Sequence, residues 1–103
     1  SSGSLVRVGG IELDHRRHEA RVDGEPVRLT ASEFKVLALL AEEPERVYTR
    51  REIMQRLWQS EYVGDHRACD IHISNLRRKI EVDPALPTRL VTVRGVGYKL
   101  AAV

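Results

Sequence analysis

From Arg67 to Ile80 the chain carries Arg67, Ile71, His72, Ser74, Asn75, Arg77 and Arg78, and Arg94 follows between Val93 and Gly95. Guanidinium groups can hold phosphates or the edge of guanine, an asparagine amide can pair with adenine, and a methyl group can pack on the thymine methyl. These residue types together can address a nucleic-acid duplex. Catalytic chemistry has no comparable support: no paired carboxylates, Ser-His-Asp set or metal-ligand spacing is present, and His15, His18, His66 and His72 are scattered without suitable partners. The reading is of a binding module, not an enzyme, with no metal or cofactor. The single Cys69 excludes an intramolecular disulfide and suits a reducing cytoplasm. At mid-helix on an apolar stripe it reads as a small hydrophobic filler, not a nucleophile.

The element that must present these groups is a helix. With about 100° of rotation per residue, Cys69, Ile73, Leu76 and Ile80 fall on one apolar stripe, the pattern of a face packed on a core. Arg67, Ala68, Ile71, Ser74, Asn75 and Arg78 fall opposite, with His72 and Lys79 along one border and Asp70 and Arg77 along the other. Ile71 admits two readings. Burial against thymine methyls would account for an aliphatic at the centre of a polar face, yet single exposed hydrophobes are ordinary.

A hairpin follows, in which strand-type Leu90 to Val93 lead to Arg94, and Gly95, Val96 and Gly97 turn the chain into Tyr98, Lys99 and Leu100. Two glycines so close permit positive φ angles in a tight turn. A phosphate-binding Gly-x-Gly loop would need a helix after it, and here a second strand comes instead. An arginine on such a tip can enter a narrow A·T-rich minor groove. Its alternative is a solvent-exposed turn.

Upstream, Leu5 to Val8, Ile11 to Asp14, Glu19 to Val22 and Val27 to Leu29 read as four short strands, with Gly9-Gly10, His15 to His18 and Asp23-Gly24 as turns. Connections this short favour an antiparallel sheet. Thr30 and Glu33 spell a capping box opening a first helix, Leu29 can staple onto Phe34, and Phe34, Leu37, Ala38 and Ala41, helped by Leu40, form its core stripe until Pro44. Val47-Tyr48 reads as a short connecting strand. Thr49 and Glu52 repeat the box, and the second helix runs to about Trp58 with Ile53, Met54, Leu57 and Trp58 on its apolar side. Arg50 and Arg51 at its start oppose the helix dipole, a conflict that a bound phosphate or plain solvent screening would relieve. Asp65 is the expected cap of the third helix. Between the two helices, Glu61, Tyr62 and Val63 sit on a loop that either docks another protein or folds back onto the helices.

Composition sets the limits. A chain of 103 residues with 42% hydrophobic content can bury one modest core, and residues 5–103 are expected to form one domain, after a linker end or expression remnant at residues 1–4. The net charge of +2 is mild, but from His66 onward seven Lys or Arg face three acids, against ten facing twelve before it. Positive charge gathers in the half that would do the reading. No apolar run is long enough to cross a bilayer, and no membrane partner is expected.

Four strands, three helices and a C-terminal hairpin make an α+β winged helix-turn-helix. In that order, Leu29-Thr30-Ala31-Ser32-Glu33-Phe34, Thr49-Arg50-Arg51-Glu52, Trp58, Asp70-Ile71-His72-Ile73-Ser74-Asn75-Leu76-Arg77-Arg78-Lys79-Ile80 and Val93-Arg94-Gly95-Val96-Gly97-Tyr98 give the chain a resemblance from about Leu5 to Leu100. It resembles the C-terminal DNA-binding effector domain of OmpR/PhoB-type two-component response regulators.

That resemblance implies a cytoplasmic transcription regulator whose third helix enters the major groove of double-stranded DNA while Arg94 enters the minor groove. It implies phosphate contacts from Arg67, His72 and Arg77, base contacts from Ile71 and Asn75 with Ser74 close by, and an RNA polymerase contact from the Glu61–Val63 loop. Binding to direct repeats as a tandem dimer, and a receiver domain N-terminal to this module, are implied as well. Some relatives carry arginines where this chain has Ser74 and Asn75, which implies different base preferences and fewer charge contacts. The effector domain takes up the whole chain, so a fragment of a longer regulator is expected. A free-standing regulator, or part of a larger activator without a receiver, is the alternative. A winged helix that binds protein through its third helix or the Tyr62 loop is the competing class, and binding to duplex that falls steeply with salt would argue against it.

Overall fold

The structure, a computed structural model, describes residues 5–58 and 67–101, without the side chains of residues 57, 58, 67 and 68. The expectations for residues 1–4, for the loop Glu61, Tyr62 and Val63, for the Asp65 cap, and for the side chains of Leu57, Trp58 and Arg67 lie outside the described residues. Among the described residues no helix is long and apolar enough to cross a membrane.

Strands β1 (Leu5–Val8), β2 (Ile11–Asp14), β3 (Glu19–Val22) and β4 (Glu25–Val27) form an antiparallel meander in sequence order. Alternation along each strand, with the pairs Val8↔Ile11, Leu13↔Ala20 and Ala20↔Val27, puts Val6, Val8, Ile11, Leu13, Ala20, Val22 and Val27 on one face and Arg7, Glu12 and Arg21 on the other. Three of the strands lie where the alternation predicts. The fourth begins earlier than the expected Val27 to Leu29, because Asp23 (φ 53°) and Gly24 (φ 84°) close a two-residue turn that pairs Val22 with Glu25 at once. Pro26 is tolerated there since β4 is an edge strand, where a missing N–H breaks no ladder.

Helix α1 (Ala31–Glu42) opens on the predicted capping box: Glu33 N donates to Thr30 Oγ1 at 3.2 Å, and Thr30 N donates to Glu33 Oε1 at 3.0 Å. It stops before Pro44, whose ring forces the preceding Glu43 out of helical geometry (φ −135°, ψ 87°). Its buried stripe is wider than expected. Val36 and Leu39 are enclosed as well, because α1 is the central element and touches β1, helix α2 (Arg50–Trp58), helix α3 (Arg67–Ile80) and the last strand, Gly97–Leu100.

Strand β5 (Tyr48–Thr49) is more than a connector. It pairs with β7 (Gly97–Leu100), which pairs with β6 (Leu90–Val93), so the wing is one side of a three-stranded sheet rather than a free hairpin. Of the two wing glycines only Gly95 has a positive φ (78°). Gly97 has a different reason: a Cβ there would overlap the Tyr48 carbonyl and lie 2.9 Å from Thr49 Cα. The α2 start repeats the box as predicted, with Glu52 N donating to Thr49 Oγ1 and Thr49 N to Glu52 Oε1, both at 3.1 Å.

Leu13, Leu37, Leu40, Ile53, Met54, Leu76, Leu90 and Leu100 are wholly enclosed in one core to which every element except β4 contributes. Cys69 joins them, and burial pushes its thiol up to about 11. The native thiol is therefore both shielded and protonated at neutral pH. We expect thiol reagents at pH 8 to leave the folded protein unmodified and to label it fully in denaturant; labelling of the native protein within minutes would contradict this packing.

Candidate nucleic-acid interface

Helix α3 has the phase that its apolar stripe demands. Cys69, Ile73, Leu76 and Ile80 are at most 1% exposed, whereas Ile71 is 59% exposed at the centre of the opposite face. Ser74 and Arg78 are exposed beside it and Asn75 is half-buried. Ile71, Ser74, Asn75 and Arg78 thus form one outward surface of an aliphatic group, a hydroxyl, an amide and a guanidinium. Ile71, Ser74 and Arg78 stand open to solvent, and Asn75 is partly covered.

The two borders of that surface are anchored differently. On one, Lys79 pairs with the enclosed carboxylate of Glu33 on α1. Burial alone would raise the Glu33 carboxyl, but hydrogen bonds from Lys79 and from Thr30 N, with the Lys79 charge, outweigh it and hold the group below the usual carboxylate range. His72, on the same border, is half-buried and has no polar side-chain partner among the described residues.

On the other border stand Asp70 and Arg77, and both turn toward the wing. Arg77 donates from Nε to the Leu90 carbonyl at 3.1 Å and from Nη2 to Thr92 Oγ1 at 2.6 Å, with its guanidinium 5.7 Å from the Tyr98 ring centre. Tyr98 donates its hydroxyl to Asp70 Oδ1 at 2.6 Å. The same oxygen accepts from Arg50 Nε at 2.8 Å, and the Arg50 guanidinium lies 5.5 Å from the Tyr98 ring centre. Tyr98 is thus flanked by two cations. Burial raises its hydroxyl above the ordinary tyrosine range, and donation to Asp70 adds to the shift. This cluster ties the reading helix, the start of α2 and the wing into one body.

The approach to the wing is fixed by Glu81, a buried carboxylate just past α3. It accepts backbone N–H bonds from Thr88 (3.1 Å), Arg89 (2.9 Å) and Leu90 (2.8 Å), and so sets where β6 begins. Arg89 caps the Ile80 carbonyl and pairs with Asp23 in the β3–β4 turn at 2.6 Å. At the far end Val96 N donates to the Val93 carbonyl at 3.0 Å, closing a turn that leaves Arg94 exposed and without a side-chain partner among the described residues.

Of the expected site residues, the structure gathers Ile71, Ser74, Asn75 and Arg78 on one face and leaves Arg94 and Arg51 exposed to solvent. Arg77 and Arg50 are only partly available, being engaged with the wing and with Asp70. The dipole conflict at the α2 start is relieved for Arg50 by Asp70, a source the charge pattern did not suggest. Sequence reading also missed Tyr98, Thr92 and Glu81. Asp70 and Arg77 share a border two turns apart, which was a legible hint that something lay alongside.

A model of the family described as transcriptional regulatory protein, C terminal, matches residues 24–100. Sensory transduction protein RegX3 of Mycolicibacterium smegmatis is 46% identical over 96 residues, covering 93% of this chain and 42% of that protein. DNA-binding response regulator MtrA of Mycobacterium tuberculosis is 38% identical over 95 residues, covering 92% of this chain and 42% of its own. The chain thus spans less than half the length of these relatives. The crystal structure of the Klebsiella pneumoniae RstA DNA-binding domain in complex with RstA box superposes with a TM-score of 0.86 at 29% identity, over 96% of this chain and 98% of that one.

Proposed function

Because the chain belongs to the family of OmpR/PhoB-type transcriptional regulatory proteins, as their C-terminal DNA-binding domain, we propose that it reads a specific duplex sequence as the effector domain of a two-component response regulator. One observation carries this reading. The outward face of α3 holds Ile71, Ser74, Asn75 and Arg78 in a single phase, and Arg77 and Tyr98 bind the wing to that same helix.

In this reading α3 lies in the major groove, where Asn75 pairs with a base edge, Ile71 packs on thymine methyls and Ser74 sits beside them. Arg94 enters the adjacent minor groove. Arg67, His72, Arg78 and Arg51 hold phosphates. Arg77 does so only with the N–H groups not already given to Leu90 and Thr92. Arg50 joins them when it leaves Asp70. The full-length protein carries a receiver domain before this module and binds direct repeats as a tandem dimer in the cytoplasm, and Glu61, Tyr62 and Val63 meet RNA polymerase.

The test is selection of sites from random duplexes with the purified domain, followed by titration at rising salt. We expect one enriched sequence, with log affinity falling against log salt by about 0.9 per phosphate neutralised. Failure to enrich any duplex, or affinity indifferent to salt, would remove the DNA reading.

A further inference from the structure

We infer that Asp70 is an internal competitor for the DNA backbone: its carboxylate holds Arg50 and the Tyr98 hydroxyl in place of a phosphate oxygen, weakening the grip on arbitrary duplex and so sharpening discrimination. The inference rests on the DNA-binding reading above. Asp70 Oδ1 accepts from Arg50 Nε at 2.8 Å and from the Tyr98 hydroxyl at 2.6 Å. A guanidinium and a hydroxyl converging on one anionic oxygen are the donors that a backbone phosphate takes.

Exposure separates this pair from the structural ones. The Arg50 and Asp70 side chains are 46% and 45% exposed, so the pair lies at the solvent boundary beside the reading face, whereas the Glu33 carboxylate that holds Lys79 is 4% exposed. An exposed pair of this kind is weak enough to exchange partners. Its members also have local anchors of their own. The α2 start is already fixed by the Thr49–Glu52 box, and Tyr98 by its pairing with Tyr48 and Thr92 across the sheet.

Asp70 is also the only acid on α3. Its charge repels phosphate within a Debye length of about 10 Å at 0.1 M salt, and its hold on Arg50 withdraws a cation from the border where phosphates would pass. Removing the carboxylate frees that cation for any duplex, matched or not. The gain is therefore in non-specific binding, and the ratio of specific to non-specific affinity falls.

The experiment is a salt titration of the domain on a mixed-sequence duplex and on its selected site, followed by fluorescence anisotropy. For Asp70→Asn at about 0.1 M salt we expect roughly five- to tenfold tighter binding to mixed duplex, with a salt slope steeper by about 0.9, the signature of one more neutralised phosphate. In an Arg50→Gln background the same change is expected to bring no more than about a twofold gain, since the cation it would release is gone. An unchanged slope, or an equal gain in both backgrounds, overturns the inference, the latter reducing Asp70 to a generic charge. Thermal unfolding monitors each variant, and Asp70→Ser, which keeps a small polar partner for Tyr98, replaces the amide variant if that does not fold. A wild-type domain that binds no duplex at any salt would instead defeat the DNA reading itself.

Discussion

Alanine at position 97 is expected to destabilise the domain on the order of 3 kcal/mol, a large share of the roughly 5 to 15 kcal/mol that holds a domain folded. The cause is contact, not backbone freedom. Gly97 lies where β5 crosses closest to β7, and its new methyl group would overlap the Tyr48 carbonyl and press within 2.9 Å of Thr49 Cα. Both obstacles are backbone, so no side-chain rotation relieves them. Either β5 pulls away, losing the Tyr48↔Tyr98 pairing, or the wing tilts, disturbing the Tyr98–Asp70 bond that seats it on α3. At Gly95 the situation reverses: φ is 78° and nothing lies within 4 Å of where a methyl group would stand, so Gly95→Ala meets only the left-handed penalty of about 1 to 2 kcal/mol. Chemical denaturation of the two variants measures the difference. A Gly97→Ala protein as stable as the wild type would refute the close approach.

Asn75→Ala and Arg94→Ala are both expected to weaken binding to the cognate site, but only Asn75→Ala is expected to relax sequence preference in the major groove. A base-edge pair is worth about 1 to 3 kcal/mol of discrimination, roughly 5- to 150-fold in relative affinity. Asn75 is half-buried on the outward face, on the side of the helix turned from the core. Arg94 sits alone on an exposed turn, where it can add affinity through the minor groove and its potential without addressing the bases that Asn75 reads. Repeating the selection with each variant, alongside footprinting on the wild-type site, separates the roles. Unchanged affinity in both variants would dismiss this surface as the reading face.

How far each feature was legible depends on the range of the physics that sets it. Helix phase is local. An apolar residue at 69, 73, 76 and 80 leaves one possible inward side, so Ile71 and Asn75 had to face outward, as they do. Capping boxes at Thr30 and Thr49 are local as well, each closed within four residues, and both formed. The β4 boundary slipped because a two-residue turn at Asp23-Gly24 fixes register more tightly than side-chain pattern does. Spacing alone points Gly97 to turn geometry, whereas the close passage of a distant strand is what requires it.

The order of elements, the inward and outward sides of α3, and the arginine on the hairpin tip follow from residue types and their spacing alone, since periodicity and turn chemistry act over a few residues. Only the folded chain decides that β5 joins the wing, that Glu81 fastens the start of β6, and that Arg50, Asp70, Arg77 and Tyr98 meet at one border of the reading helix. Those partners stand as far apart in sequence as Arg50 and Tyr98, so their meeting depends on how sheet and helices pack, and no local pattern records it.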